Sequence, residues 1–200
     1  MDNLLNYFLT ENPLDSFNKW YEEASNVEQN AQAMSVATID HTRNRPVTRT
    51  LLFKGIKNNK FSFYTNYLSH KAKDLEHNPE IALNFYWHVS KRQVRVQGRV
   101  TKMSKDDSAQ YFHSRDRVSQ IASYASHQSA EIADKAELLK KVEEVKAMFD
   151  GKTIPLPDYW GGYLVEPYEY EFFVYGDNRI NDRFLYELKN GKWEVRRLQP

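Results

Sequence analysis

The side chains best suited to chemistry in this chain are cations and amides set at the ends of apolar runs. Arg49 and Lys54 flank "TLLF", and Lys71 follows Ser69 in the first turns of a short polar helix pattern. Gln93 opens a strand pattern, Gln128 and Ser129 sit in a polar turn, and Arg115, Arg117 and Ser119 cluster after a helix pattern. Arg179 and Arg183 lie beside the apolar strand "EFFVY", bracketing Asn181 and Asp182. A phosphate is held by several donors at once, which Arg, Lys, Ser hydroxyls and helix N-termini supply. Taken singly, each of these residues reads as a solvated charge or a satisfied turn. Taken together they suffice for two anion sites, and aromatic residues, at 14%, provide rings to face a flat ligand.

Other chemistries lack their residues. The chain has no cysteine, which removes thiol nucleophiles, thiolate metal sites and a disulfide framework together. The six histidines show no pair at metal-ligand spacing on a helix face. Neither a Gly-x-Gly-x-x-Gly turn, a Gly-x-x-x-x-Gly-Lys loop nor a Gly-x-Ser-x-Gly elbow occurs. With 28 basic and 27 acidic residues, bulk charge gives no argument for nucleic acid, so any anion site must be local. "MDNLLNYFLTENPLD" does not read as a secretory leader, and no apolar run approaches the ~20 residues that span a bilayer. The expectation is a cytoplasmic protein with neither membrane nor nucleic-acid partner.

The elements that must position these groups follow from periodicity. Phe17, Trp20, Tyr21 and Ala24 form the stripe of an amphipathic helix, with Asp15 or Ser16 as its N-cap. "AMSVATID" and "PVTRTLLFKG" read as a hairpin, and "KFSFYTN" as a third strand. Ser69 is placed to cap a short helix ended by Pro79. "IALNFYWHV" and "RQVRVQGRVTKM" form another strand pair, and Ser104 with Asp107 resembles a capping box. Leu138, Val142, Val145 and Phe149 mark a surface helix, while Tyr111 and Phe112 read as core residues at a helix–barrel seam. Three strands are expected around 163–165, 170–175 and 183–188, with a tight Asn190-Gly191 turn before a last strand at 193–198. Six to eight strands without βαβ alternation predict a mainly β, α+β architecture: one antiparallel barrel domain over residues 1–200, with peripheral helices and a flexible arm at 1–12.

Several strings, read in order, carry a resemblance. "RTLLFKG", "FYTNYLSHKAKDLEHNP", "FYWHVSKRQVRVQGRV", "YFHSRDRVSQIASYASHQS", "PLPDYWGGY" and "NRINDRFLY…W…RRLQP" together resemble the pyridoxine/pyridoxamine 5′-phosphate oxidase family from about Pro13 to Pro200. The resemblance implies a split β-barrel homodimer with FMN at the subunit interface. It also implies oxidation of pyridoxamine or pyridoxine 5′-phosphate to pyridoxal 5′-phosphate by O2, with release of hydrogen peroxide. By position, Arg49, Lys71 and Ser129 would hold the FMN phosphate region, with His70 where an arginine often helps. The segment Thr50, Leu51, Leu52, Phe53 and Lys54, with Tyr64, Thr65, Gln93, Gln128, Phe173 and Arg183, would complete the cofactor contacts, some of them from the second subunit. Lys54, Tyr111, Arg115 and Ser119 would grip the substrate phosphate, and Arg179 and Asn181 would lie beside the substrate ring as the catalytic pair.

The chain departs from the family pattern at identifiable places. Phe173-Val174 stands where Trp-Gln is common, which loses an indole N–H donor. Asn181 replaces a substrate-side histidine; it can hydrogen-bond but cannot titrate near neutral pH. Asp116 interrupts the common Arg-Pro-Arg. Two other readings stand beside the oxidase: a flavin oxidase of another reduced aromatic compound, as in phenazine biosynthesis, and a weakly active or non-catalytic FMN- or pyridoxal-phosphate-binding homologue. The phosphate grip argues against the first of these.

Overall fold

The computed structural model describes Tyr7 and residues 9–200. Among the described residues, nine strands form one antiparallel sheet, accompanied by five α-helices. The strands are β1 (Ala33–Ile39), β2 (Pro46–Leu52), β3 (Ile56–Lys57), β4 (Lys60–Asn66), β5 (Glu80–Trp87), β6 (Arg92–Lys102), β7 (Trp160–Val174), β8 (Asp182–Lys189) and β9 (Lys192–Leu198). The helices are α1 (Pro13–Val27), α2 (His70–His77), α3 (Lys105–Ser114), α4 (Arg117–Ala125) and α5 (Lys135–Met148).

Pairing runs β2-β1-β5-β6-β7-β4-β3, and β8 and β9 continue from β7. The path does not return on itself, so the expected barrel is corrected to an open antiparallel sheet. Its two ends approach through the connection after β2, where Lys54 N–H donates to Ser62 O at 2.8 Å and Ser62 N–H to Gly55 O at 3.0 Å. β3 is only two residues long, and no ladder joins it to β2.

β7 is the hub. Residues Trp160–Val165 pair with β4, residues 169–174 pair with β8, and β6 follows the opposite edge. Sequence periodicity split this element in two at "EPYE", because proline cannot donate to a ladder. Instead a bulge opposite Gln97/Gly98 leaves Tyr168, next to Pro167, without a partner in β6, and the strand continues. Gly98 is required there, since a Cβ would run into Glu166 O. The last hairpin turns at Asn190 (φ 50) and Gly191 (φ 75), as Asn-Gly predicts.

α1 buries Leu14, Phe17, Trp20 and Ala24 against Phe53, Phe61, Phe85 and Trp87 in the main core. Its N-cap is Asn12, whose side chain accepts from Leu14 N–H at 3.0 Å, not Asp15 or Ser16. Pro13 fixes the first helical φ and moves the start upstream of the apolar stripe. Of the expected flexible arm, residues 1–6 and 8 lie outside the described residues. The described part is packed: Leu9 is buried, Tyr7 OH donates to Asp182, and Thr10 O accepts from Tyr186 OH at 2.8 Å. A second core, with Phe112, Ile121, Ala125, Val145, Ile154 and Trp160, lies under α3, α4 and α5. Among the described residues, no helix is long and apolar enough to cross a membrane, and no group of three metal-ligating side chains occurs.

Candidate active site

Between the two cores lies a cleft of about 810 Å³. Thr50, Leu51, Leu52 and Lys54 line it from the end of β2, and Tyr64 and Thr65 from β4. Tyr111 and Arg115 enter from α3 and its C-cap, Ser119 from α4, and Gln128 from the turn beyond. Ten of the residues singled out in the sequence therefore share one space.

One wall is aromatic. Tyr64 stacks on Tyr111 with ring centroids 3.8 Å apart, and Trp160 stacks on Tyr64 from 5.4 Å. Tyr111 thus belongs to the cleft, whereas Phe112 beside it is core. Burial, with the neighbouring Tyr111, pushes the Tyr64 phenol up to about 12. It stays neutral and donates no negative charge to the wall. The Arg115 guanidinium sits 4.9 Å from the Trp160 ring centre and donates to Ser123 Oγ at 2.8 Å.

Asp116 modifies this end of the cleft. It caps α4, accepting from Ser119 N–H and from Ser119 Oγ, both at 2.7 Å. Ser119 is therefore engaged with a carboxylate that also lines the cleft. Its backbone and side-chain bonds from Ser119 hold the Asp116 carboxyl below its ordinary value.

Behind the lining residues Thr65 and Gln128, and not itself lining the cleft, is Lys71, which sequence alone would allow to be a surface lysine. It is only 6% exposed. Its Nζ donates to Thr65 Oγ1 at 2.9 Å, Gln128 Oε1 at 2.9 Å and Ser69 Oγ at 3.1 Å. Ser69 holds the N-cap position of α2 without capping it, because its hydroxyl donates to Asn66 O and serves Lys71. All three acceptors of Lys71 are neutral. Burial, then the Arg49 charge, lowers its pKa to about 8 against the opposing pull of Asp74. A buried ammonium with only neutral partners suits an anion. That is the donor set a phosphate ester needs.

The remaining sequence-nominated residues lie elsewhere. Phe53 points its ring into the main core, and His70 and Ser129 are exposed, Ser129 at φ 72. Gln93, Phe173 and Arg183 are in register across β6, β7 and β8. Gln93 Nε2 donates to Asn84 Oδ1 at 2.6 Å, and Arg183 Nε donates to Glu171 Oε1 at 2.7 Å. That bond to Glu171 raises the Arg183 pKa further. Arg179 (φ 65) and Asn178 (φ 54) occupy left-handed backbone in the turn after β7, where Asn181 Oδ1 accepts from Gly176 N–H at 3.1 Å. None of these five lines the cleft in the same chain. Sequence reading gave no role to Trp160, Asn66 or Ser123 in the cleft wall. The one available signal was Trp160 inside "PLPDYWGGY".

The chain matches the family described as pyridoxamine 5′-phosphate oxidase over residues 21–149, and the pyridoxine 5′-phosphate oxidase C-terminal dimerisation region over residues 160–200. The chain belongs to this family. It is 44% identical over 191 residues to pyridoxine/pyridoxamine 5′-phosphate oxidase 2 of Hydrogenovibrio crunogenus, covering 95% of this chain and 89% of that protein. It is likewise 44% identical to the pyridoxine/pyridoxamine 5′-phosphate oxidase of Teredinibacter turnerae, covering 96% and 91%. Among solved structures it resembles PhzG from Burkholderia lata 383 in complex with tetrahydrophenazine-1-carboxylic acid, with TM-score 0.89, 26% identity and 96% and 94% coverage. A pyridoxamine 5′-phosphate oxidase-related, FMN-binding protein from Nostoc punctiforme shares the fold, with TM-score 0.76, 18% identity and 96% and 100% coverage.

Proposed function

We infer that this chain is an FMN-dependent oxidase that converts pyridoxamine and pyridoxine 5′-phosphates to pyridoxal 5′-phosphate, with O2 as acceptor and hydrogen peroxide as by-product. The observation that carries the reading is a pair of separate cationic centres at one cleft: Lys54 and Arg115 line it, and Lys71 stands behind it, bonded to the lining residues Thr65 and Gln128. A family enzyme needs two such centres, one for a cofactor phosphate and one for a substrate phosphate.

Bound FMN would supply the two-electron redox chemistry that no side chain here can perform. Lys71, with Thr65, Gln128 and Arg49, would hold its phosphate. Lys54 and Arg115 would grip the substrate phosphate, turning remote binding energy into orientation of the ring. The stacked wall of Tyr64, Tyr111 and Trp160 keeps water from one side of the cleft. Gln93, Phe173, Arg179, Asn181 and Arg183 would join from a second copy, in a homodimer whose C-terminal strands face the neighbour's cleft. The match to a dimerisation region and the exposure of Ile180, at 73%, support this arrangement. We place the protein in the cytoplasm, as a single domain.

The likeness to PhzG favours, as a second reading, a flavin oxidase of an unphosphorylated aromatic substrate. Lys54 and Arg115 would then have no phosphate to bind. Purified protein should be yellow, and pyridoxamine 5′-phosphate in air should yield peroxide and an aldehyde absorbance. A yellow protein inert with both B6 phosphates would exclude the first reading.

A further inference from the structure

The helix that carries Lys71 also carries a buried, heavily bonded carboxylate. Asp74, on α2, is 2% exposed. Its Oδ2 accepts from Thr38 Oγ1 at 2.9 Å, and its Oδ1 accepts from His41 N–H at 3.1 Å and lies 2.9 Å from His41 Nδ1. Arg49 NH2 stands 3.7 Å from Oδ2, and Arg49 NH1 donates to the same Thr38 hydroxyl at 2.7 Å. Asp74 and Thr38 thus fix the Arg49 guanidinium from two sides. Three residues earlier on α2 is Lys71.

We propose that Asp74 is a positioning residue for the phosphate end of the flavin site, holding Arg49 in place and keeping Arg49 and Lys71 both charged. The inference rests on the FMN reading above. Two cations in a half-buried site depress one another, and a nearby carboxylate offsets the repulsion. The directions agree: the Arg49 charge lowers the Lys71 pKa and the Asp74 charge raises it. Burial would raise the Asp74 carboxyl, yet the bonds from His41 and Thr38 and the Arg49 charge outweigh it, so Asp74 is ionised. The other charged or titratable groups around it are His77, stacked on His41 at 4.8 Å, and Arg43, paired with Asp40 on the β1–β2 turn.

The test compares FMN with riboflavin, which lacks the phosphate, in titrations of the full chain freed of flavin. For Asp74→Asn, FMN should bind about tenfold more weakly, the equivalent of one pKa unit, with riboflavin unchanged. The pH above which FMN affinity falls should also move downward. Asp74→Glu should restore part of both effects. Thr38→Val, which keeps shape and removes the bridging hydroxyl, should give a smaller loss confined to FMN, and serves if Asp74→Asn does not fold. Equal losses for both flavins would reduce Asp74 to a scaffold role, and unchanged or tighter FMN binding would overturn the proposal. If the wild-type chain binds neither flavin, it is the FMN reading that fails.

Discussion

The cleft and the β6–β8 face hold the same kinds of residue in opposite electrostatic states. At the cleft, Lys71 behind its wall is bonded only to neutral oxygens, and Arg115 in it to Ser123. On the strand face, Arg183 is already paired with Glu171, which also binds Arg95. A buried cation hydrogen-bonded only to neutral groups has strong reason to take an anionic ligand, whereas one hydrogen-bonded to a carboxylate, as Arg183 is, has less. The difference separates residues that bind charge from residues that present shape and hydrogen bonds. It also explains why one list of basic residues divides into two places.

The comparison can be broken most sharply at Lys71. Lys71→Met should weaken FMN on the order of 100-fold, since charged hydrogen bonds are worth about 1.5–3 kcal/mol. Arg183→Ala should cost FMN far less, and equal losses in fluorescence titrations would erase the distinction. Arg115→Ala should raise KM for pyridoxamine 5′-phosphate by at least ~30-fold with FMN affinity within about threefold, as expected of two separate phosphate sites.

The next effect is one of pH. A bound phosphate favours the ammonium form of Lys71, whose pKa in the empty site is about 8. Below that pH the proton is already present. Above it each binding event must take up a proton, so FMN affinity should fall by up to about tenfold per pH unit. Lys71→Arg should flatten the decline, and a profile level to pH 10 in the wild type would show that Lys71 does not meet the phosphate. The smallest change concerns Asp116. Asp116→Asn keeps a good N-cap and removes a negative charge beside Arg115, so KM for the B6 phosphate should drop about two- to threefold with little change in Tm. A rise in KM would mean that the carboxylate helps position the grip.

Legibility in the sequence followed the range of the interaction. β4 reads directly from "KFSFYTN", and the Ser104 cap is confirmed by its bond from Asp107 N–H at 3.1 Å. These depend on neighbours a few residues away. The burial of Lys71 depends on Thr65, six residues before it, and on Gln128, fifty-seven residues after it. No periodicity in an eight-residue helix can encode that. Asp74 and Thr38 escaped notice for the same reason, since each looks like an ordinary polar position until α2 docks on β1. β7 was misread because a proline signals an interruption locally, while the bulge at Tyr168 that accommodates it shows only in the pairing with β6. The cleft residues were legible as a set only through the resemblance, and their division into two groups needed the sheet.

Whether those groups meet across two copies is the point on which the reading turns. Arg115→Ala damages the cleft and Arg179→Ala damages the strand face, so each variant alone should be nearly inactive. Mixed under conditions that exchange subunits, hybrids would carry one site with both halves intact, and a random mixture should recover about a quarter of wild-type activity. That recovery in a pyridoxamine 5′-phosphate oxidation assay is the predicted result. A mixture no more active than its parents, with subunit exchange verified, would contradict a site shared between copies.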